Sequence, residues 1–117
     1  MKLVIAVIRP ERLEAVEQAL RAALGADRFR LTVQRVEGVG GAEGDVAEWV
    51  GESARERPAR RIQITLGLTD AHLESALSAI LHAARTRGGE PGDGKIFVLP
   101  MEDCLRIRTG ERGDWAI

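Results

Sequence analysis

Cysteine is nearly missing from this chain. Cys104 is the single one among 117 residues, so no internal disulfide framework is available. There is no tyrosine, and aromatic residues make up 3% of the chain. The core must therefore be assembled from Leu, Ile, Val and Ala. Neither sign of charge dominates: 17 Lys and Arg face 18 Asp and Glu, for a formal net charge of −1. Such a balance gives no reason to expect bulk nucleic-acid binding or an electrostatic hold on a membrane. No apolar run approaches the ~20 residues of a membrane span. The stretch Met1–Ile5 is too short for a signal peptide and has no cleavage site. The expected compartment is the cytoplasm. Chemistry-bearing patterns are scarce too. There is no nucleophile elbow, no HExxH and no convincing pair of carboxylates. His72 and His82 do not share a metal-ligand spacing.

Glycine is plentiful: 13 residues, clustered at 38–51 and 88–94, against a typical ~7% of composition. Clustered glycine marks places where the backbone turns sharply or approaches something closely. Between the clusters the pattern is regular. Residues 2–8, KLVIAVI, read as a buried strand. Pro10 then opens a helix whose apolar stripe is Leu13, Val16, Leu20 and Leu24. Residues 29–37 alternate, with Phe29, Leu31 and Val33 on one side, as in a half-buried strand. Residues 60–68 alternate again. The loop of about 20 residues between these strands, 38–58, exceeds the ~12–15 that structureless connections usually reach, which points to function or disorder. Thr69 and Asp70 cap a second helix carrying Leu73, Leu77, Ile80, Leu81 and Ala84. Gly88 and Gly89 stop it. A strand at 95–99 and a last extended run at 104–108 follow. The order βαββαβ in one domain, 1–117, predicts an α+β, ferredoxin-like sheet with both helices on one face. Its other face is left uncovered, and oligomerisation would cover it.

Three segments could hold anions. GEPGDGK at 89–95 matches G-x-x-x-x-G-K as a string. A P-loop needs Ser or Thr next and runs from strand to helix. Here Ile96 follows and the order is reversed, so a P-loop is excluded. Glycine amides and Lys95 can still form an anion nest, although a plain helix-to-strand turn explains the segment equally. In RIRTGERG at 106–113, Arg106 and Arg108 would share one face of an extended segment and offer two guanidinium forks. A solvated edge strand is the alternative. Arg60 and Arg61, at the end of the long loop, are either gatekeeping charges beside an edge strand or a third contribution to a phosphate site.

MKLVIAVIRPERLEAVEQAL at the start, GDGKIFVLP at 92–100 and RIRTGERG at 106–113 together resemble the PII signal-transduction family. The resemblance covers essentially the whole chain. It implies a homotrimer of ferredoxin-like subunits that bind ATP, ADP or AMP in clefts between subunits. A long T-loop, about 38–58, would act on a regulated target protein. Carried over residue by residue, the B-loop (about 86–95) implies nucleotide contacts from Gly92, Asp93, Gly94 and Lys95. The C-loop (about 106–113) of a neighbouring subunit implies phosphate contacts from Arg106 and Arg108. Thr32 aligns with a threonine facing adenine, Gly40 with the glycine at the T-loop base, and Arg61 with a lysine near the loop's far end. Glu48 and Trp49 fall where the T-loop would meet its partner.

The departures carry information as well. Family members that sense 2-oxoglutarate use a T-loop glutamine to help hold magnesium; here that position is Ala42, preceded by Gly41. The tyrosine that some bacteria uridylylate falls at Ala54. Two extra residues precede GDGK. These changes resemble a divergent PII-like branch, and such branches include transporter-associated, carboxysome-associated and bicarbonate-responsive members. The expected function is non-enzymatic signalling through adenine nucleotides, with the magnesium and 2-oxoglutarate site impaired. Slow nucleotide hydrolysis in the same cleft is the alternative from another class.

Overall fold

KLVIAVI forms strand β1 (Lys2–Ile8), and its period of two sorts the side chains onto two faces. Val4, Ala6 and Ile8 are buried, while Leu3, Ile5 and Val7 on the other face are half-buried. In the computed structural model, which describes residues 1–40 and 58–117, β1 is a central strand. Pro10 has φ pre-set for a helical start, and Pro10–Arg12 make one 3-10 turn that leads into α1 (Leu13–Leu24). Val16, Leu20 and Leu24 face the core at helical spacing. Gly25, with φ +90°, ends the helix, and its N–H donates to the Arg21 carbonyl at 2.9 Å.

Strands β2 (Thr32–Gly38) and β3 (Ala59–Leu68) form the expected antiparallel pair. α2 (Asp70–Ala84) and β4 (Gly94–Pro100) complete a four-stranded antiparallel sheet in the order β2-β3-β1-β4. Ile62, Ile64, Leu66 and Leu68 of β3 join the buried residues of β1, and α1 and α2 close this face with Val16, Leu20, Ala76 and Ile80. Among the described residues none that is buried is polar or charged. The core is aliphatic with one aromatic, Phe29. No helix in the described residues is long and apolar enough to cross a membrane.

The opposite face stays open. Phe97 and Leu99 of β4 lie in register with Ile5 and Leu3, and Phe97 is 50% exposed. At one end the chain folds back over this face. A Cβ on Gly67 would meet Met101 at 3.3 Å and Ile117 at 3.9 Å, so glycine leaves room for the C-terminal tail.

Four details differ from the sequence expectations. Strand β2 begins at Thr32 rather than at Phe29, which is buried ahead of it. Val33 turns to the helix side yet remains 42% exposed, because β2 is an edge strand. Leu81 is also exposed, while Ala76 takes the inward place on the helix. Thr69 occupies the N-cap position of α2, but its hydroxyl pairs with His72 Nδ1 at 3.1 Å instead of capping a backbone amide. Leu20→Ala should therefore cost about 2–5 kcal/mol by cavity formation, and Leu81→Ala under about 1 kcal/mol. Urea unfolding midpoints of the two variants check this ordering.

Candidate functional site

The glycine-rich connection between α2 and β4 is held by one carboxylate. Asp93 Oδ2 accepts the backbone N–H groups of Thr86 at 3.0 Å and Glu90 at 2.8 Å. Its Oδ1 accepts Arg9 Nε at 3.1 Å, and Arg9 Nη2 donates to the Pro91 carbonyl at 2.7 Å. Burial works to raise the Asp93 pKa, but the two amides and Arg9 outweigh it and hold the carboxyl well below the usual carboxylate range. Arg87 sits at φ +50° and reaches Glu90 at 3.8 Å, tying the longer loop to itself.

After Asp93 the chain enters β4 through Gly94, at φ +112°. A Cβ there would lie 1.8 Å from the Val7 carbonyl oxygen. Only glycine permits this approach, and it fixes where Lys95 begins. Lys95 pairs with Val7 on the open face and is exposed. A cleft of about 300 Å³ lies under the end of α2, lined by Ile80, Leu81 and Ala84 together with Arg85, Asp93, Gly94 and Lys95.

Both stems of the 38–58 segment leave the sheet at this same end. Ile8 pairs with Ile62 on one side and with Gly94 on the other, and Gly38 pairs with Ala59 just beyond. Arg61 is half-buried opposite Val36, and its Nη1 donates to the Arg60 carbonyl at 2.8 Å. β3 pairs with β2 at Arg60 and Arg61, while its pairing with β1 starts at Ile62, so both arginines lie where the sheet narrows to the β2–β3 ribbon. Gly40 has φ +96° and lies in open space. Thr32 is exposed on the open face, in the row with Thr65, Ile5 and Phe97. Glu48, Trp49, Gly41, Ala42 and Ala54 lie outside the described residues.

The segment carrying Arg106 and Arg108 is a tight hairpin rather than an extended run. Leu105 bridges Arg112, Arg106 N–H donates to the Glu111 carbonyl at 2.9 Å, and Gly110 N–H donates to the Arg106 carbonyl at 2.8 Å. The sequence Thr109-Gly110 favours the turn, with Gly110 at φ +75°. Arg106 folds inward to the Ile117 backbone oxygen at 3.3 Å, while Arg108 stands exposed. Arg112 bonds Asp103, and that bond, with the Cys104 amide, lowers the Asp103 pKa. This hairpin follows Pro100, which pairs with Lys2, whereas Lys95 pairs with Val7. Lys95 and the two arginines therefore belong to opposite ends of one sheet.

A family model described as nitrogen regulatory protein P-II matches residues 1–111. The chain belongs to the PII family. Nitrogen regulatory protein GlnK1 of Methanosarcina mazei is 41% identical over 117 residues, which span all of this chain and 97% of that protein. The P-II protein of Nostoc punctiforme is 36% identical across the full length of both. The crystal structure of Arabidopsis thaliana PII bound to citrate matches with a TM-score of 0.76 and 34% identity, over 99% of this chain and 91% of that one. The chain is thus a signalling protein of the PII nitrogen regulatory family, on the ferredoxin-like fold expected from its element order. PII proteins are regulators, typically trimeric, that bind adenine nucleotides and small effectors.

The structure brings together Gly92 to Lys95, the stems of the 38–58 segment and Arg61. It leaves Arg106 and Arg108 apart from them within one subunit. Sequence reasoning missed Arg9 and Thr86. The one available signal was a lone arginine between a strand end and a proline.

Two outcomes are expected. Gly88 has positive φ but open space, so Gly88→Ala should cost about 1–2 kcal/mol of strain. Gly94→Ala adds the overlap with Val7 and should cost about 1–3 kcal/mol more. Asp93→Asn should lower stability at pH 7 by about 1.5–3 kcal/mol. The folded pKa of Asp93 lies below its unfolded value of ~3.9, so the unfolded chain takes up the proton first. Wild type then loses this contribution as pH falls below ~3.9, and the gap to Asp93→Asn narrows. Urea titrations at pH 7 and pH 2.5 read both effects.

Proposed function

We propose that this PII protein binds adenine nucleotides through its B-loop and couples that binding to the T-loop. The observation that carries the reading is the shared sheet end: Ile62, Ile8 and Gly94 lie in one row, so a ligand on Lys95 sits beside both T-loop stems. Backbone N–H groups in the glycine-rich turn and the Lys95 ammonium suit phosphate oxygens. A ligand there favours one set of T-loop arrangements over another, and the loop then meets or leaves its target.

The site is half a site in one subunit. Arg106 and Arg108 lie toward the Lys2 end of the sheet, so their guanidinium groups would come from a neighbouring copy. The open apolar face, with Leu3, Ile5, Val7, Phe97 and Leu99, is the surface such a neighbour would cover. Thr32 and Arg61 share that face and would border the nucleotide, as would Gly40 at the T-loop base. On this reading ligand binding requires the assembled trimer.

Where 2-oxoglutarate sensors place a glutamine that helps hold magnesium, this chain has Ala42. A methyl group carries no donor, so the residue does not fit a metal. Recognition is read here from amides and cations alone, with the 2-oxoglutarate response impaired.

Arg106→Ala, Arg108→Ala and Lys95→Ala should each weaken nucleotide binding by about 1.5–3 kcal/mol, the value of a hydrogen bond to a charged group. Calorimetric titration with ATP, ADP and AMP measures this. Repeating it with 2-oxoglutarate and Mg²⁺, or with bicarbonate, reads the second effector. Normal binding by all three variants would show the assignment to be wrong. Tightening by 2-oxoglutarate would show that Ala42 is compensated.

A further inference from the structure

We propose that Arg9 is a positioning residue for phosphate recognition: it cancels the charge of Asp93 and so lets the B-loop accept a polyanion. The inference rests on the reading that the B-loop binds phosphate. Asp93 lies between Gly92 and Gly94, two residues before Lys95, so a bare carboxylate there would repel the ligand that the loop attracts. Its Oδ2 is already occupied by the Thr86 and Glu90 amides. Those bonds hold the longer loop and require an acceptor oxygen at this position, which the carboxylate supplies together with a negative charge. Charge cancellation falls to Oδ1, where Arg9 donates at 3.1 Å.

The guanidinium is held from two directions. Its second anchor, the Pro91 carbonyl at 2.7 Å, lies in the same loop. The side chains of Arg9 and Asp93 are only 23% and 15% exposed. Water and salt therefore screen the pair less than a surface pair. Arg9 is engaged by Asp93 and Pro91, which leaves Lys95 and Arg85 as exposed cations lining the adjoining cleft.

A merely structural Arg9 and a charge-cancelling Arg9 predict different binding patterns. Arg9→Met leaves Asp93 ionised. Its repulsion should grow with the number of phosphates, so that ATP loses about tenfold in affinity, ADP less, and AMP about threefold or under. Arg9→Lys keeps the charge and should stay within about threefold of wild type for all three nucleotides. In an Asp93→Asn background there is no charge to cancel, and adding Arg9→Met should change ATP affinity by less than about twofold.

The experiment is calorimetric titration of wild type, R9M, R9K, D93N and R9M/D93N with ATP, ADP and AMP at one ionic strength. Melting curves confirm that each variant is folded. A graded loss in R9M that disappears in the D93N background supports the proposal. An equal loss for all three nucleotides overturns it, since that pattern belongs to a distorted loop. An equal ATP loss from R9M in both backgrounds overturns it as well, because Arg9 would then touch the phosphates itself. Loss in R9K matching that in R9M assigns Arg9 to the Pro91 bond alone and overturns it. If wild type binds no nucleotide, the phosphate reading falls, and this inference falls with it.

Discussion

The contact on which this molecule turns is that of Gly94 on the carbonyl of Val7. No side chain fits between them, because a Cβ would lie 1.8 Å from the oxygen. Close approach at this point sets the register of β4 on β1. It also sets where the glycine-rich turn ends and Lys95 begins. Because β1 also pairs with β3, the same register carries across to Ile62 and to both stems of the long segment. A local steric requirement of one glycine thus decides which functional elements are neighbours.

Charge is distributed to suit this arrangement. The helix-covered face of the sheet holds no buried polar residue among the described ones. Ionic groups gather instead at the sheet ends, where loops need fixed shapes. Asp93 shapes one end, with Arg9 as its partner, and Asp103 with Arg112 shapes the other. These pairs do little for the core. They hold backbone amides in turns whose glycines would otherwise sample many conformations.

Much of this was legible in the sequence. The continuous apolar run in KLVIAVI, alternation in residues 60–68, and helical spacing in Val16, Leu20 and Leu24 recovered the element order and the open face. The glycine clusters located both loops. The limits have physical causes. Alternation at 29–37 could not say that β2 is an edge, because edge position is set by pairing elsewhere in the chain. The i, i+2 arginines looked extended, but Thr109-Gly110 closes them into a hairpin, since turn chemistry overrides a short alternating pattern. The Arg9–Asp93 pair joins positions far apart in sequence, and no local pattern announces it. Even the family resemblance pointed to Asp93 as a ligand residue without showing that its carboxylate is engaged within its own loop.

The central place of β1 has a consequence for how the chain comes to be folded. This strand is made before the other three, yet its partners lie at positions 62–68 and 94–100. Synthesis runs from the N-terminus, and non-local pairings repay their loop-closure entropy only once both strands exist. The most apolar of the described strands must therefore wait, with α1 as early cover, until residue 68 is made for its first partner and residue 100 for its second. Its cohesion in the finished sheet is matched by a long interval of exposure during birth, which is the stage at which a chaperone would find something to hold.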